Sequence, residues 1–94
     1  MRITPRNILR HELIGLGVEV LESTHPGYVG ISGRIIYETM KTLTIEDKEG
    51  RRKIVPKAVC TFKIILPDGR LLKVQGKELL GRPEDRIKKR IRMW

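Results

Sequence analysis

The sequence predicts a mainly β fold, a small and strongly bent antiparallel barrel with a short helix at each end of the chain. Five or six short segments alternate apolar and polar residues, with turn signals about every ten residues. Gly33 lies inside one of these segments and predicts a sharp bend or close backbone packing. So many short strands in 94 residues favour a curved barrel over a flat sheet.

A chain of 94 residues has room for one domain with a modest core, so we expect a single domain over residues 1–94. Its N-terminal helix is predicted over residues 5–14, its barrel over 16–76 and its basic C-terminal helix over 83–94. Thr4 can cap the first helix and Pro5 suits its first position. One apolar stripe on this helix is formed by Leu9, Leu13 and Leu16.

Strands are predicted where the apolar period is two. The first holds Val18 and Val20, and further strands are expected near residues 31–37, 42–46, 51–55, 59–66 and 72–75. Turns or bends are expected at residues 24–27, 38–41, 47–50 and 67–69. Pro56 cannot donate to a ladder, so it predicts an edge strand or a bulge.

The C-terminal stretch GRPEDRIKKRIRMW predicts an amphipathic helix with a basic face. Pro83 suits its first position, and Ile87, Ile91 and Trp94 recur on one side. Six Lys or Arg residues accompany only two acids there. This surplus favours a phosphate contact over a merely solvated face, while the apolar face is too small to indicate a membrane surface.

The charge of the whole chain also indicates a polyanionic partner. Twenty Lys or Arg against eleven Asp or Glu give a formal charge of +9 and a pI of about 10.2. A second basic group in residues 48–57 has only Glu49 as an acid, and its hairpin position predicts exposure. RNA contact and protection of a sheet edge are equally compatible with this group, whose members are Lys48, Arg51, Arg52, Lys53 and Lys57.

Few residues suggest chemistry of their own. His11 and His25 lack a suitably spaced nucleophile or carboxylate pair, and no phosphate-binding glycine loop or metal-ligand spacing is present. Cys60 is the only cysteine and is predicted to be a small core residue. We therefore expect that this chain is not an enzyme on its own and binds no cofactor or metal. Because it also lacks a long apolar run, we expect it to be cytoplasmic.

Four blocks of the sequence resemble the archaeal ribonuclease P protein component 1 family. They are HELIGLGVEVLES at 11–23, YVGISGRIIYETMKTLTI at 28–45, VPK at 55–57 and GRPEDRIKKR at 81–90. The resemblance implies an Sm-like barrel and an accessory subunit of the RNA-based endoribonuclease that removes the 5′ leader of precursor tRNA. Catalysis would then belong to the RNA and its Mg²⁺ ions.

The resemblance also implies partners: the ribonuclease P RNA, a zinc-binding protein subunit that forms a heterodimer, other ribonuclease P proteins and, indirectly, precursor tRNA. The apolar stripe of Leu9, Leu13 and Leu16 is the predicted contact with that protein partner, and for Leu9 and Leu13 docking on their own barrel is equally compatible with the sequence. Phosphate contacts are predicted for Arg51, Arg52, Lys53, Lys57, Arg82, Arg86, Lys88, Lys89 and Arg90.

Two other functions stay open at this point. A free-standing Sm-type RNA chaperone would form rings, and Glu38 to Leu43 loosely echo the turn of that family. A protein-assembly module would use its charge for solubility alone and would show no salt-sensitive affinity for RNA.

Overall fold

The structure is a computed structural model that describes residues 13–81. Its six strands are β1 (Gly17–Ser23), β2 (Ser32–Glu38), β3 (Thr42–Glu46), β4 (Arg52–Pro56), β5 (Cys60–Ile65) and β6 (Leu71–Gln75). Two short 3-10 helices follow β1 and β6, at Pro26–Tyr28 and Gly76–Leu79. The prediction of a mainly β fold of short antiparallel strands is confirmed. Among residues 13–81, no helix is long and apolar enough to cross a membrane.

All six strands form one antiparallel sheet in the order β4-β3-β2-β1-β5-β6. In a flat sheet, β4 and β5 would lie four strand spacings apart, about 19 Å. The connection from Pro56 to Cys60 spans at most about 14 Å when fully extended. The sheet therefore has to curl, so that β4, an edge strand as Pro56 predicts, approaches β5 at the point where these strands are joined.

The interior of the curled sheet is filled by the apolar residues of each alternating strand. Phe62 is fully buried and Cys60 is 4% exposed, as expected for a small core residue. Bulges between Val20 and Glu22 in β1 and between Ile35 and Tyr37 in β2 add local bending. Aliphatic side chains make up most of the core: Leu13, Leu16, Val18, Val20, Ile35, Leu43, Ile45, Val55, Ile64, Leu66, Val74 and Leu79.

At Gly33 the backbone of β2 lies close to the end of β3, as the place of this glycine inside a strand predicts. Its φ is +155°, and a Cβ atom added there would overlap the carbonyl oxygen of Glu46 in β3. Only glycine combines this backbone conformation with such an approach. Gly33 thus allows β2 to bend tightly against β3.

The predicted N-terminal helix extends too far toward the C-terminus. Leu13 and Ile14 are not helical, because the chain turns at Gly15, whose φ is +96°. The N–H of Gly15 donates to the carbonyl of Ile35 at 2.7 Å, so this segment already belongs to the rim of the sheet. The rest of that helix, and the helix predicted over 83–94, lie outside the described residues.

Candidate nucleic-acid interface

The β3–β4 hairpin carries the first group of predicted RNA-binding cations, and Asp47 fixes the shape of its turn. One carboxylate oxygen of Asp47 accepts hydrogen bonds from the backbone N–H groups of Glu49 and Arg51, both at 2.9 Å. The bond from Arg51 contributes most to lowering the pKa of Asp47 below its ordinary value of 3.8, and the cations of Arg51 and Lys53 act in the same direction. Asp47 is therefore ionised at neutral pH, and the turn places the basic residues at the start of β4.

Arg51, Arg52 and Lys53 are all exposed, as the sequence predicts. Arg51 forms an ion pair with Glu49 at 3.3 Å, and Arg52 forms one with Glu46 at 3.2 Å. Exposed pairs of this kind contribute about 0–1 kcal/mol. A phosphate group can therefore replace the carboxylate partner of either arginine at little cost.

The hairpin is nevertheless closer to neutral than its sequence suggests. Glu46 and Asp47 join Glu49 around the turn, so residues 46–53 hold three acids against four cations. One net positive charge remains where the sequence interpretation counted a large surplus. On its own the hairpin is a modest attractor for RNA.

Strand register adds Arg34, which was not among the predicted RNA-binding residues. Arg34 in β2 lies opposite Glu46 in β3, and Glu46 lies opposite Arg52 in β4. Residues opposite one another in antiparallel strands share a face, so the three charges form one row across the outside of the sheet. Alternation in the sequence places Arg34 on the outer face, but only the register places it in one row with Arg52, with Glu46 between them.

The neighbouring row on the same outer face is partly apolar. Tyr37 in β2 lies opposite Thr44 in β3, and Thr44 lies opposite Ile54 in β4. The side chains of Tyr37 and Ile54 are 60% and 65% exposed. The face of β2, β3 and β4 thus joins two arginines to one accessible aromatic ring.

The prediction that Lys57 is an exposed RNA-binding cation is wrong. Lys57 follows β4 and is fully buried, and its ammonium nitrogen lies 2.6 Å from a carboxylate oxygen of Glu38 at the end of β2. Glu38 is itself only 2% exposed in its side chain. The sequence interpretation failed because Lys57 stands in a basic run, whereas its partner lies 19 residues away across the sheet.

The Lys57 ammonium group also satisfies backbone carbonyls from two segments. It donates to Thr39 at 2.8 Å and Gly81 at 3.0 Å, with a longer contact to Met40 at 3.4 Å. A buried cation is tolerable only with such a set of acceptors. Lys57 therefore organises the interior contacts of the fold instead of presenting charge to a ligand.

Two residues of the apolar stripe that was predicted to contact a protein partner are buried in this chain. Leu13 and Leu16 are 0% and 6% exposed and belong to the core of this chain. The predicted partner contact is therefore wrong for both residues, and the alternative of docking on the chain's own barrel is confirmed for Leu13. Leu9 lies outside the described residues.

Most of the net charge lies near the two ends of the chain. Residues 13–81 contain 11 Lys or Arg and 8 Asp or Glu, a net charge of +3. Residues 1–12 and 82–94 contain 9 Lys or Arg and 3 Asp or Glu, a net charge of +6. The predicted phosphate-binding residues of the C-terminal stretch lie outside the described residues: Arg82, Arg86, Lys88, Lys89 and Arg90.

Comparison with known proteins places this β fold and its basic ends in a family. Ribonuclease P protein component 1 of Methanothermobacter thermautotrophicus is 51% identical over 90 residues, covering 96% of this chain and 97% of that protein. Its counterpart in Thermofilum pendens is also 51% identical and covers 100% of both chains.

A solved structure has the same fold. The structure of Mth11, a homologue of human RNase P protein Rpp29, matches with a TM-score of 0.60 and 47% identity, covering 82% of this chain and 99% of that one. The family described as Ribonuclease P/MRP, subunit p29, matches residues 6–89. This chain therefore belongs to the p29 subunit family of ribonuclease P and MRP.

Proposed function

We propose that this chain is an RNA-binding, non-catalytic subunit of ribonuclease P, the endoribonuclease that removes the 5′ leader of precursor tRNA. In this role the protein folds or braces the catalytic RNA, and the reaction takes place on the RNA with its Mg²⁺ ions. Membership of the p29 subunit family supports the assignment to the complex. The surface chemistry supports RNA as the direct partner.

The observation that carries RNA binding is the distribution of positive charge. Six of the nine net positive charges lie in residues 1–12 and 82–94, while the β3–β4 hairpin retains only one. Charge concentrated in this way attracts a polyanion more strongly than the same charge spread among acids. We assign the principal phosphate contacts to the C-terminal basic stretch, with Arg82, Arg86, Lys88, Lys89 and Arg90 as the contacting residues.

The outer face of β2, β3 and β4 is the proposed second contact. On this face Arg34 forms no ion pair within residues 13–81, and the ion-pair partner of Arg52 there is Glu46. Lys53 is exposed but does not share this face, because it lies opposite Ile45 in β3, which is buried. Among the tyrosines and the phenylalanine of residues 13–81, only Tyr37 is exposed. A single ring does not make a base-stacking platform, so we expect recognition of backbone and shape in folded RNA.

The remaining partners follow from the same proposal. A zinc-binding protein subunit is the proposed heterodimer partner, and Leu9 is the residue of the apolar stripe to which we assign that contact. Other ribonuclease P proteins join the assembly, and precursor tRNA is met through the RNA. The proposed location is the cytoplasm.

Charge reversal tests the assignment of the phosphate contacts. The variant Arg86→Glu with Lys89→Glu should weaken binding to ribonuclease P RNA and reduce the slope of log affinity against log salt by about one for each lost contact. The matched control reverses Arg70 and Lys73, which have the same residue types and the same spacing on the β5–β6 side. Equal losses in both variants would overturn the assignment.

A further inference from the structure

The buried ammonium group of Lys57 lies where three parts of the chain meet. Lys57 itself follows β4, Glu38 and Thr39 belong to the bend between β2 and β3, and Gly81 follows the 3-10 helix after β6. An ammonium group has three N–H donors, and the three short contacts, at 2.6, 2.8 and 3.0 Å, go to these three residues. One side chain thus joins segments distant in sequence.

Gly81 is held at both of its backbone polar groups. Its carbonyl accepts from Lys57, and its N–H donates to the carbonyl of Met40 at 2.8 Å. Its φ of +93° suits glycine and turns the chain at this point. Nearby, Leu79 is fully buried, which fixes the segment from a second side.

The segment leading to Gly81 is also fitted closely to the residue that holds it. A Cβ atom at Gly76 would overlap the carbonyl oxygen of Lys57. The path from β6 to Gly81 is therefore defined at its start and at its end. Arg82, the first residue of the basic stretch, comes directly after Gly81.

We propose that Lys57, held by Glu38, is a positioning residue for RNA binding: it fixes Gly81, the residue to which the basic stretch of residues 82–94 is joined. This inference rests on the proposed function, because it concerns how the same cations are presented to RNA. A fixed origin restricts the directions that the stretch can take before binding. Less conformational freedom is then lost when its side chains reach their phosphates.

Two changes separate positioning from charge. Insertion of Gly-Ser-Gly-Ser between Gly81 and Arg82 keeps the hydrogen bonds from Lys57 to Glu38, Thr39 and Gly81 and every cation of the chain, but separates the basic stretch from its fixed origin. The double variant Glu38→Leu with Lys57→Met removes the hydrogen bond from Lys57 to Gly81 together with both charges of the buried pair. Lys73→Met, at an exposed lysine, is the control for the loss of one positive charge.

The assay is the dissociation constant of the full chain for ribonuclease P RNA across a range of salt concentrations. The insertion and the double variant should each weaken binding by about tenfold with an unchanged salt slope, because the same phosphates are contacted after a larger loss of freedom. The insertion and the double variant combined should weaken binding little more than either change alone. Lys73→Met should leave the affinity almost unchanged. Circular dichroism at the assay temperature verifies folding.

Each outcome decides a separate question. Unchanged affinity in the insertion variant overturns the positioning role, even if the double variant does not fold. Losses that multiply in the combined variant also overturn it, since they indicate independent causes. Failure of the parent chain to prefer ribonuclease P RNA over an unrelated folded RNA would instead refute the proposed function.

Discussion

Replacing Lys57 by methionine should destabilise the fold more than any substitution at an exposed ion pair. Methionine fills similar space but removes the ammonium group that lies 2.6 Å from the Glu38 carboxylate, whose side chain is 2% exposed. Removing one partner of a buried pair costs about 3–5 kcal/mol. A chain of this length is stable by about 5–14 kcal/mol, so a large part of the free energy of unfolding is at stake.

The size of this effect can be isolated with two further variants. Lys63 pairs with Glu19 at 2.8 Å, a distance close to the 2.6 Å of the buried pair, but the two side chains are 32% and 37% exposed. Lys63→Met should therefore cost about 1 kcal/mol or less. The double variant Glu38→Leu with Lys57→Met should recover much of the stability, because no unpaired charge remains and only the carbonyls lose a donor.

Urea and thermal unfolding followed by circular dichroism measure all three variants. The expected fall in Tm for Lys57→Met is about 12 °C or more, since each kcal/mol corresponds to about 4–8 °C in a domain of this size. A cost for Lys57→Met no larger than that for Lys63→Met would refute the reasoning. Burial would then not distinguish the two pairs.

Three further predictions concern the frame that supports the interface. Gly33→Ala should lower the free energy of unfolding by about 2–6 kcal/mol, because the new Cβ would overlap the backbone of Glu46 and alanine is strained at this φ. Gly30→Ala is the control, since Gly30 has a φ of +89° with open space around it, and should cost about 1–2 kcal/mol. Similar costs for the two variants in urea unfolding would contradict the close approach of β2 to β3. Asp47 has a lowered folded pKa, so its ionised form contributes stability that is present above the unfolded value of 3.8 and is lost as pH falls through the folded pKa. Asp47→Asn should therefore differ most from the parent in urea midpoint above pH 4, and the two should converge at lower pH; a constant difference would refute this origin. Phe62→Ala should cost about 3–5 kcal/mol in the same unfolding assay, since Phe62 is fully buried, and a cost below 1 kcal/mol would contradict its place in the core.

Local sequence patterns predicted the strands well, because the alternation of apolar and polar residues and the preferences of turn residues depend only on near neighbours in the chain. The residues 47–50 and 67–69 form the expected turns, and Gly33 and Pro56 lie where their backbone limits require. The prediction of an N-terminal helix was wrong at Leu13, because the apolar stripe of that helix continues into residues that pack in the core of the sheet. Tertiary packing outweighed helical period at that boundary.

The interface was less predictable because it depends on which strands lie side by side. Charge along the chain cannot show that Glu46 stands between Arg34 and Arg52, since strand register decides it. It also cannot show that Lys57 turns inward to Glu38. In the sequence, Lys57 resembles the other cations of its basic run. Only the structure shows that the bend at 38–41 and Gly81 enclose its ammonium group.

The most direct test of the account compares two RNAs of equal length, ribonuclease P RNA and an unrelated folded RNA, for affinity to the full chain over a range of salt concentrations. Counterion release alone gives similar affinities and similar slopes for both. A subunit whose basic stretch is joined to the sheet at a fixed point should bind ribonuclease P RNA more tightly and retain part of that preference at high salt. Equal affinities with equal slopes would contradict the account and reduce RNA binding by this chain to a general attraction between opposite charges.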